Sequence, residues 1–156
     1  MSWEPGRDRV TDLIHAGELE PVTPDERVAR RLLDDAGRHL DTATAAVASD
    51  DLSGAYQLAY DALRKSAAAL LAVQGLRATT RGGHIAVQEA ATAQFGSTIR
   101  AFRSFGRIRR SRNRFEYPDS DTAGPSTDDV HDAITTATAT RDAATTILDR
   151  NLLTPW

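Results

Sequence analysis

Residues 52–75, LSGAYQLAYDALRKSAAALLAVQG, constrain the fold more than any other stretch of the chain. Tyr56, Tyr60, Leu63, Ala67, Leu70 and Leu71 recur every three or four residues, which lines them along one face of a long helix. Gly75 is placed as the left-handed residue that ends it. Tyr56 and Tyr60, four apart, read as core side chains more readily than as a stacking platform for bases. Asp61 and Lys65 read as an i,i+4 pair. Such an apolar helix must be covered by others, because an exposed face of that size is not tolerated in a folded domain.

The covering helices are legible on both sides. Thr23-Pro24-Asp25-Glu26 predicts a start, with Thr23 as N-cap, proline in the first turn and glutamate closing a capping box. Val28, Leu32, Leu33, Ala36, Leu40, Ala43 and Val47 then keep a helical period to about Ala48, and Asp50 or Asp51 caps the helix that follows. LRATTRGG reads as a flexible loop. His84 to Phe95 predicts a shorter helix with Ile85 and Val87 as apolar content, ended by Gly96. Ser126-Thr127-Asp128-Asp129 opens the last helix, with Val130, Ile134, Ala137, Ala144, Ile147 and Leu148 as core. Val10, Leu13 and Ile14 suggest a short helix stopped by Gly17. No run alternates with period two. The expectation is an all-α, antiparallel bundle of about five helices across residues 23–150, with a short extra helix in an N-terminal extension, 1–22, and a frayed end, 151–156.

Composition narrows the class. A chain of 156 residues supports one domain with a core of its own. It has no cysteine, so disulfides and thiolate metal sites are excluded. The histidines lack HxxxH or HExxH spacing, no GxxxxGK[ST] motif occurs, and no cofactor or metal is expected. Thr80-Arg81-Gly82-Gly83 is too short for a phosphate loop. No apolar run approaches a membrane span and MSWEPGRDR has no hydrophobic signal core, so a soluble cytoplasmic protein without membrane contact is expected. The net charge of −3 argues against bulk capture of nucleic acid.

The positive charge is concentrated, however. STIRAFRSFGRIRRSRNRFEYP, residues 97–118, carries seven arginines between Arg100 and Arg114 and no acid before Glu116. As one helix from Ser97 to the stop at Pro118, it places Ile99, Phe102, Phe105, Ile108 and Phe115 in an arc centred near roughly 250°. Arg100, Arg103, Arg107, Arg110 and Arg114 gather on the opposite side as a solvated stripe. Arg112, Glu116, Arg109 and Asn113 fall at roughly 220–320°, inside the apolar arc. Buried charges need partners, so these four residues mark an internal polar network, a polar site or a polar interface.

RNRFEYP resembles the R-N-x-x-x-H signature of HEPN domains, small helical bundles of bacterial toxin–antitoxin, nucleotidyltransferase-linked and RNA-processing systems. Arg112 and Asn113 match the start of the motif, and Tyr117 stands where active members carry histidine. The form with EYP looks closest to an actinobacterial subgroup that often lacks it. The long helix with Ala55 to Leu71, the loop with Gly82-Gly83 and the histidine opening a short helix, His84, also match the family in order and spacing.

Catalytic members are metal-independent ribonucleases whose dimers bring two motifs into one cleft. The resemblance implies that Arg112 steadies a phosphate, Asn113 orients groups around it and position 117 supplies the base. Arginine suits phosphate because its planar fork binds oxygens bidentately and keeps its charge. Tyrosine titrates near 10 and is a poor base at neutral pH. His84 is the first substitute for the missing imidazole; its plainer role is a helix-start residue bonded to the loop. Three readings follow. One is a homodimeric RNA-binding protein of a toxin–antitoxin or defence-like module with weak or lost ribonuclease activity, using Arg109, Arg112, Glu116 and His84. Another is a partner-binding antitoxin or regulatory subunit of a nucleotidyltransferase-type protein. The third is a plain helical scaffold.

Overall fold

The computed structural model describes residues 3–156. Seven helical segments and one short strand pair occur in the order α1 (Arg7–His15), β1 (Leu19–Pro21), α2 (Glu26–Ala48), α3 (Leu52–Gln74), β2 (Leu76–Ala78), α4 (Gly83–Phe95), α5 (Arg100–Arg103), α6 (Phe105–Glu116) and α7 (Thr127–Asp149). The all-α expectation holds, and α3 is the hub: α2, α4, α6 and α7 all pack against it.

Small side chains allow that packing. Ala55, Ala59, Ala62, Ala67 and Ala69 of α3 are fully buried. On α2 the inward seam is Ala29, Leu33, Ala36, Leu40 and Ala43, and on α7 it runs Val130, Ala133, Ala137, Thr140 and Ala144. Both seams alternate steps of three and four, the spacing that keeps one face toward a neighbour along several turns. Val28, read as core, lies on the other side of that seam and is 47 % exposed. Ile85 is likewise 49 % exposed, because Ala86, Val87, Ala90, Ala91 and Phe95 form the inner face of α4.

Helix ends follow the sequence with local corrections. Asp25, not Thr23, caps α2, accepting from the Val28 N–H at 3.1 Å. Asp51 caps α3 through the Gly54 N–H, and Ser126 and Asp129 form a reciprocal capping box on α7. Gly75 ends α3 at φ 71°; an added Cβ there would lie 2.5 Å from the Val22 carbonyl oxygen, so both conformation and space require glycine. The segment after Gly75, expected as loop, forms β2 and pairs antiparallel with β1, Leu19 opposite Ala78. Three-residue strands are too short for an alternating pattern to betray them.

The arginine segment is two helices. Ser97 caps nothing; Ile99 is extended and opens the single turn of α5, and a new helix starts after Ser104. Arg103, expected on a solvated stripe, turns back instead and donates to the carbonyls of Gly96 (2.5 Å) and Ser97 (3.2 Å), satisfying acceptors left by the end of α4.

At the far end of α3 a buried amide pair ties the bundle together. The Gln74 and Gln94 side chains are 1 % and 0 % exposed and exchange two hydrogen bonds, of 2.7 and 3.0 Å. Their backbone carbonyls hold the chain termini: Trp3 Nε1 donates to Gln94 (3.1 Å) and the Trp156 N–H to Gln74 (2.8 Å). Where a frayed end is expected, the last residues therefore lie against the bundle, with Leu153 and Trp156 packed on the core and Arg7 over the Trp156 ring at 5.0 Å. Gln94→Met strands the Gln74 amide, and urea unfolding should show a loss of about 1–3 kcal/mol. Adding Gln74→Met should recover part of it; a larger loss in the double variant would contradict the pairing.

Candidate functional site

Alpha helix α6 carries the arginine motif to the side of α3, and aromatic contacts fix its register. Phe105 and Ile108 are fully buried; Phe105 meets Tyr60 edge-on at 6.4 Å and Phe115 meets Tyr56 at 5.0 Å. Because α6 starts anew at Ser104, its buried side is set by Phe105, Gly106 and Ile108, with Phe115 half-buried. A wheel drawn through residues 97–118 as one helix places the centre of burial too far toward Ile99 and Phe102. This corrects the expectation for the four polar residues. Arg109 and Arg112 are half-buried, while Asn113 and Glu116 are exposed, and Glu116 makes no ion pair among the described residues.

The two half-buried arginines are held by neutral groups. Arg112 Nε donates to Gln57 Oε1 at 2.6 Å and its Nη1 to Asn113 Oδ1 at 3.1 Å, while Arg109 Nε donates to Gln88 Oε1 at 2.8 Å. The Arg112 guanidinium also sits 5.6 Å from the centre of the Tyr60 ring. Arg30, Arg38, Arg64, Arg77 and Arg107 all pair with carboxylates. Among the described residues Arg109 and Arg112 have no carboxylate partner. Their guanidinium groups are oriented by glutamine oxygens with no carboxylate at ion-pair distance, which leaves donors able to meet an anion.

Tyr60 links this pair to His84. Its hydroxyl lies 3.1 Å from His84 Nδ1, and the rings are 5.8 Å apart. Burial raises the Tyr60 pKa against the lowering effect of Arg64, Arg112 and Arg109. The His84 pKa is lowered, first by desolvation and then by the charges of Arg64 and Arg112, with Asp61 opposing. Next along α3, the Asp61 carboxylate receives Arg64 at 2.5 Å and Lys65 at 3.6 Å; His39 Nδ1 is 2.9 Å away, without hydrogen-bond alignment. Burial raises the Asp61 pKa, but the Arg64 hydrogen bond and the surrounding cations outweigh it and hold the group below the ordinary carboxylate range. The expected Asp61–Lys65 pair is thus one edge of a larger cluster.

Tyr117 ends α6, its N–H bonded to the Asn113 carbonyl at 3.0 Å and its side chain 75 % exposed. The ring stands off in solvent within one chain. Gln57, Gln88 and Arg64 are site residues that the motif alone misses. Gln57, Tyr60, Asp61 and Arg64 recur at helical spacing, so a polar stripe on α3 is legible once the neighbour of that stripe is known. No group of acidic or histidine side chains suited to a metal occurs among the described residues, and none of their helices is long and apolar enough to cross a membrane.

A family model described as HEPN domain matches residues 29–146, about three quarters of the chain. Comparison with curated proteins and with solved structures gives no match.

Proposed function

We propose, from the premise that this chain belongs to the HEPN domain family, that it binds single-stranded RNA through Arg109 and Arg112 and cleaves it slowly or not at all. The observation that carries the reading is the pair of half-buried guanidinium groups held by Gln57 and Gln88 with no carboxylate beside them. An RNA phosphodiester supplies the missing negative charge and matches the guanidinium fork. The same α6 face leaves Asn113, Glu116 and Tyr117 uncovered. A second copy packed about a twofold axis would cover them and bring two motifs together.

RNA affinity should fall steeply with salt, as counterion release requires. Arg112→Ala should weaken binding more than Arg100→Ala, since Arg100 is an exposed cation at the start of α5. Equal effects in a fluorescence anisotropy titration would remove Arg112 from the site. Retention of a partner protein without RNA binding would support instead a regulatory subunit of a nucleotidyltransferase-type protein.

Light scattering at micromolar concentration should give about twice the 16.9 kDa of the chain. A monomer throughout that range rules out the shared face.

Tyr117 decides catalysis. Its ring stands in solvent, away from Arg112, at the position of the base, and a matched general base is typically worth about 10²–10⁴ in rate. Tyr117→His should therefore produce metal-independent cleavage leaving 2′,3′-cyclic phosphate ends, lost again in combination with Arg112→Ala. Rapid cleavage by the unaltered protein, or none by a folded Tyr117→His dimer, contradicts this assignment.

A further inference from the structure

The turn that carries His84 is held by hydrogen bonds. Thr79 ties it at both ends: Oγ1 donates to the Gly17 carbonyl at 2.6 Å and accepts from the Gly82 N–H at 3.2 Å. The Thr79 N–H donates to the Glu18 carbonyl and the Gly83 N–H to the Thr79 carbonyl. An added Cβ on Gly82 would lie 2.0 Å from the Glu18 oxygen, and Gly83 has φ +53°. The Gly-Gly pair therefore lets the turn press against β1 and then enter α4, setting an exposed histidine ring over Tyr60. A histidine serving only to cap or close the loop would bond the loop. This one bonds a buried tyrosine on another helix, whose ring also carries Arg112.

That bond selects a tautomer. Tyr60 is 1 % exposed, and among the described residues His84 Nδ1 is the side-chain group its hydroxyl bonds, so the hydroxyl proton is best placed on that nitrogen's lone pair. With Nδ1 accepting, the neutral ring carries its proton on Nε2 and presents an N–H outward. The geometry points to His84 as a third donor of the Arg109–Arg112 anion site, its Nε2–H bonding an RNA phosphodiester oxygen, with Tyr60 as the positioning residue that holds the ring in this tautomer. This assignment rests on the RNA-binding reading and extends it to a neutral donor that gains charge in acid. The ring is bonded by Tyr60, and the charges that act on it are those of Arg64, Arg112, Asp61 and Arg109. The cations and desolvation favour the neutral form near pH 7. A bound phosphate favours the imidazolium, in which the Tyr60–His84 bond reverses and Nδ1–H donates to the Tyr60 oxygen; binding then takes up a proton, and affinity rises as pH falls through the His84 titration.

The test uses the full chain and a short oligouridylate, titrated by anisotropy from about pH 8 to about pH 5.5, the span around an ordinary histidine pKa. The unaltered protein should bind several-fold tighter at the acid end, with a salt slope steeper by about 0.7, one further phosphate contact on a single strand. His84→Ala should be weaker than the unaltered protein at every pH and should abolish the increase. His84→Gln, which keeps a donor and cannot charge, should abolish the increase and keep more of the neutral-pH affinity. Nitrogen-15 spectra of the free protein should show His84 protonated on Nε2. Binding that needs Arg112 yet is unchanged by His84→Ala at every pH, or the opposite tautomer, overturns this assignment and leaves the RNA reading standing. Binding indifferent to Arg112→Ala overturns the RNA reading itself, and the His84 assignment with it.

Discussion

Close packing around α3 is the constraint on which the rest depends. Five fully buried alanines along that helix leave room for α2 and α7 to approach, and each neighbour answers with its own small-residue seam. Ser66, also fully buried, is accommodated because its hydroxyl donates to the Ala62 carbonyl at 2.8 Å. In such a seam a larger side chain displaces a whole helix rather than filling a gap, since interiors have little free volume. The benefit is a stiff hub with defined faces. One end carries the Gln74–Gln94 pair with Trp3 and Trp156 bonded to its carbonyls; the flank toward α4 and α6 carries the polar cluster.

The site exists because three helices deliver unlike groups to that flank. From α3 come Gln57, Tyr60, Asp61 and Arg64; from α4, His84 and Gln88; from α6, Arg109, Arg112 and Asn113. The charges are sorted within it. Arg64 and Lys65 meet Asp61, whereas Arg109 and Arg112 meet amide oxygens. An amide orients a guanidinium without cancelling its charge, and partial burial strengthens the field it presents to an incoming anion. In a chain whose net charge is −3, a small uncompensated basic patch is more selective than a broadly basic surface, because it acts at short range on groups that reach it.

Much of this was legible in the residues. The period of 52–75 defined α3 and its buried tyrosines, the Asp and Ser caps marked helix starts, and RNRFEYP identified Arg112 and Asn113, which do touch through Nη1 and Oδ1. The family match over residues 29–146 agrees with the resemblance seen there. The misplacements share one cause. Val28, Asn113 and Glu116 take their expected faces from rotation about a single helix, and rotation says nothing of which side the neighbours occupy or where a helix restarts. The break at Ser104 changed the phase for everything after it.

What the sequence determined by itself is the long helices α2, α3 and α7 with their approximate limits and the concentration of arginine in one stretch, because periodicity, capping and composition are local properties. What only the tertiary structure decided is which arginines are neutralised. Arg107 and Arg109 are the same residue type two positions apart, yet α7 sets Asp132 2.8 Å from the first while α4 offers the second Gln88. That difference arises between side chains 21 or more residues apart, brought together by packing on α3, and no pattern within either helix encodes it.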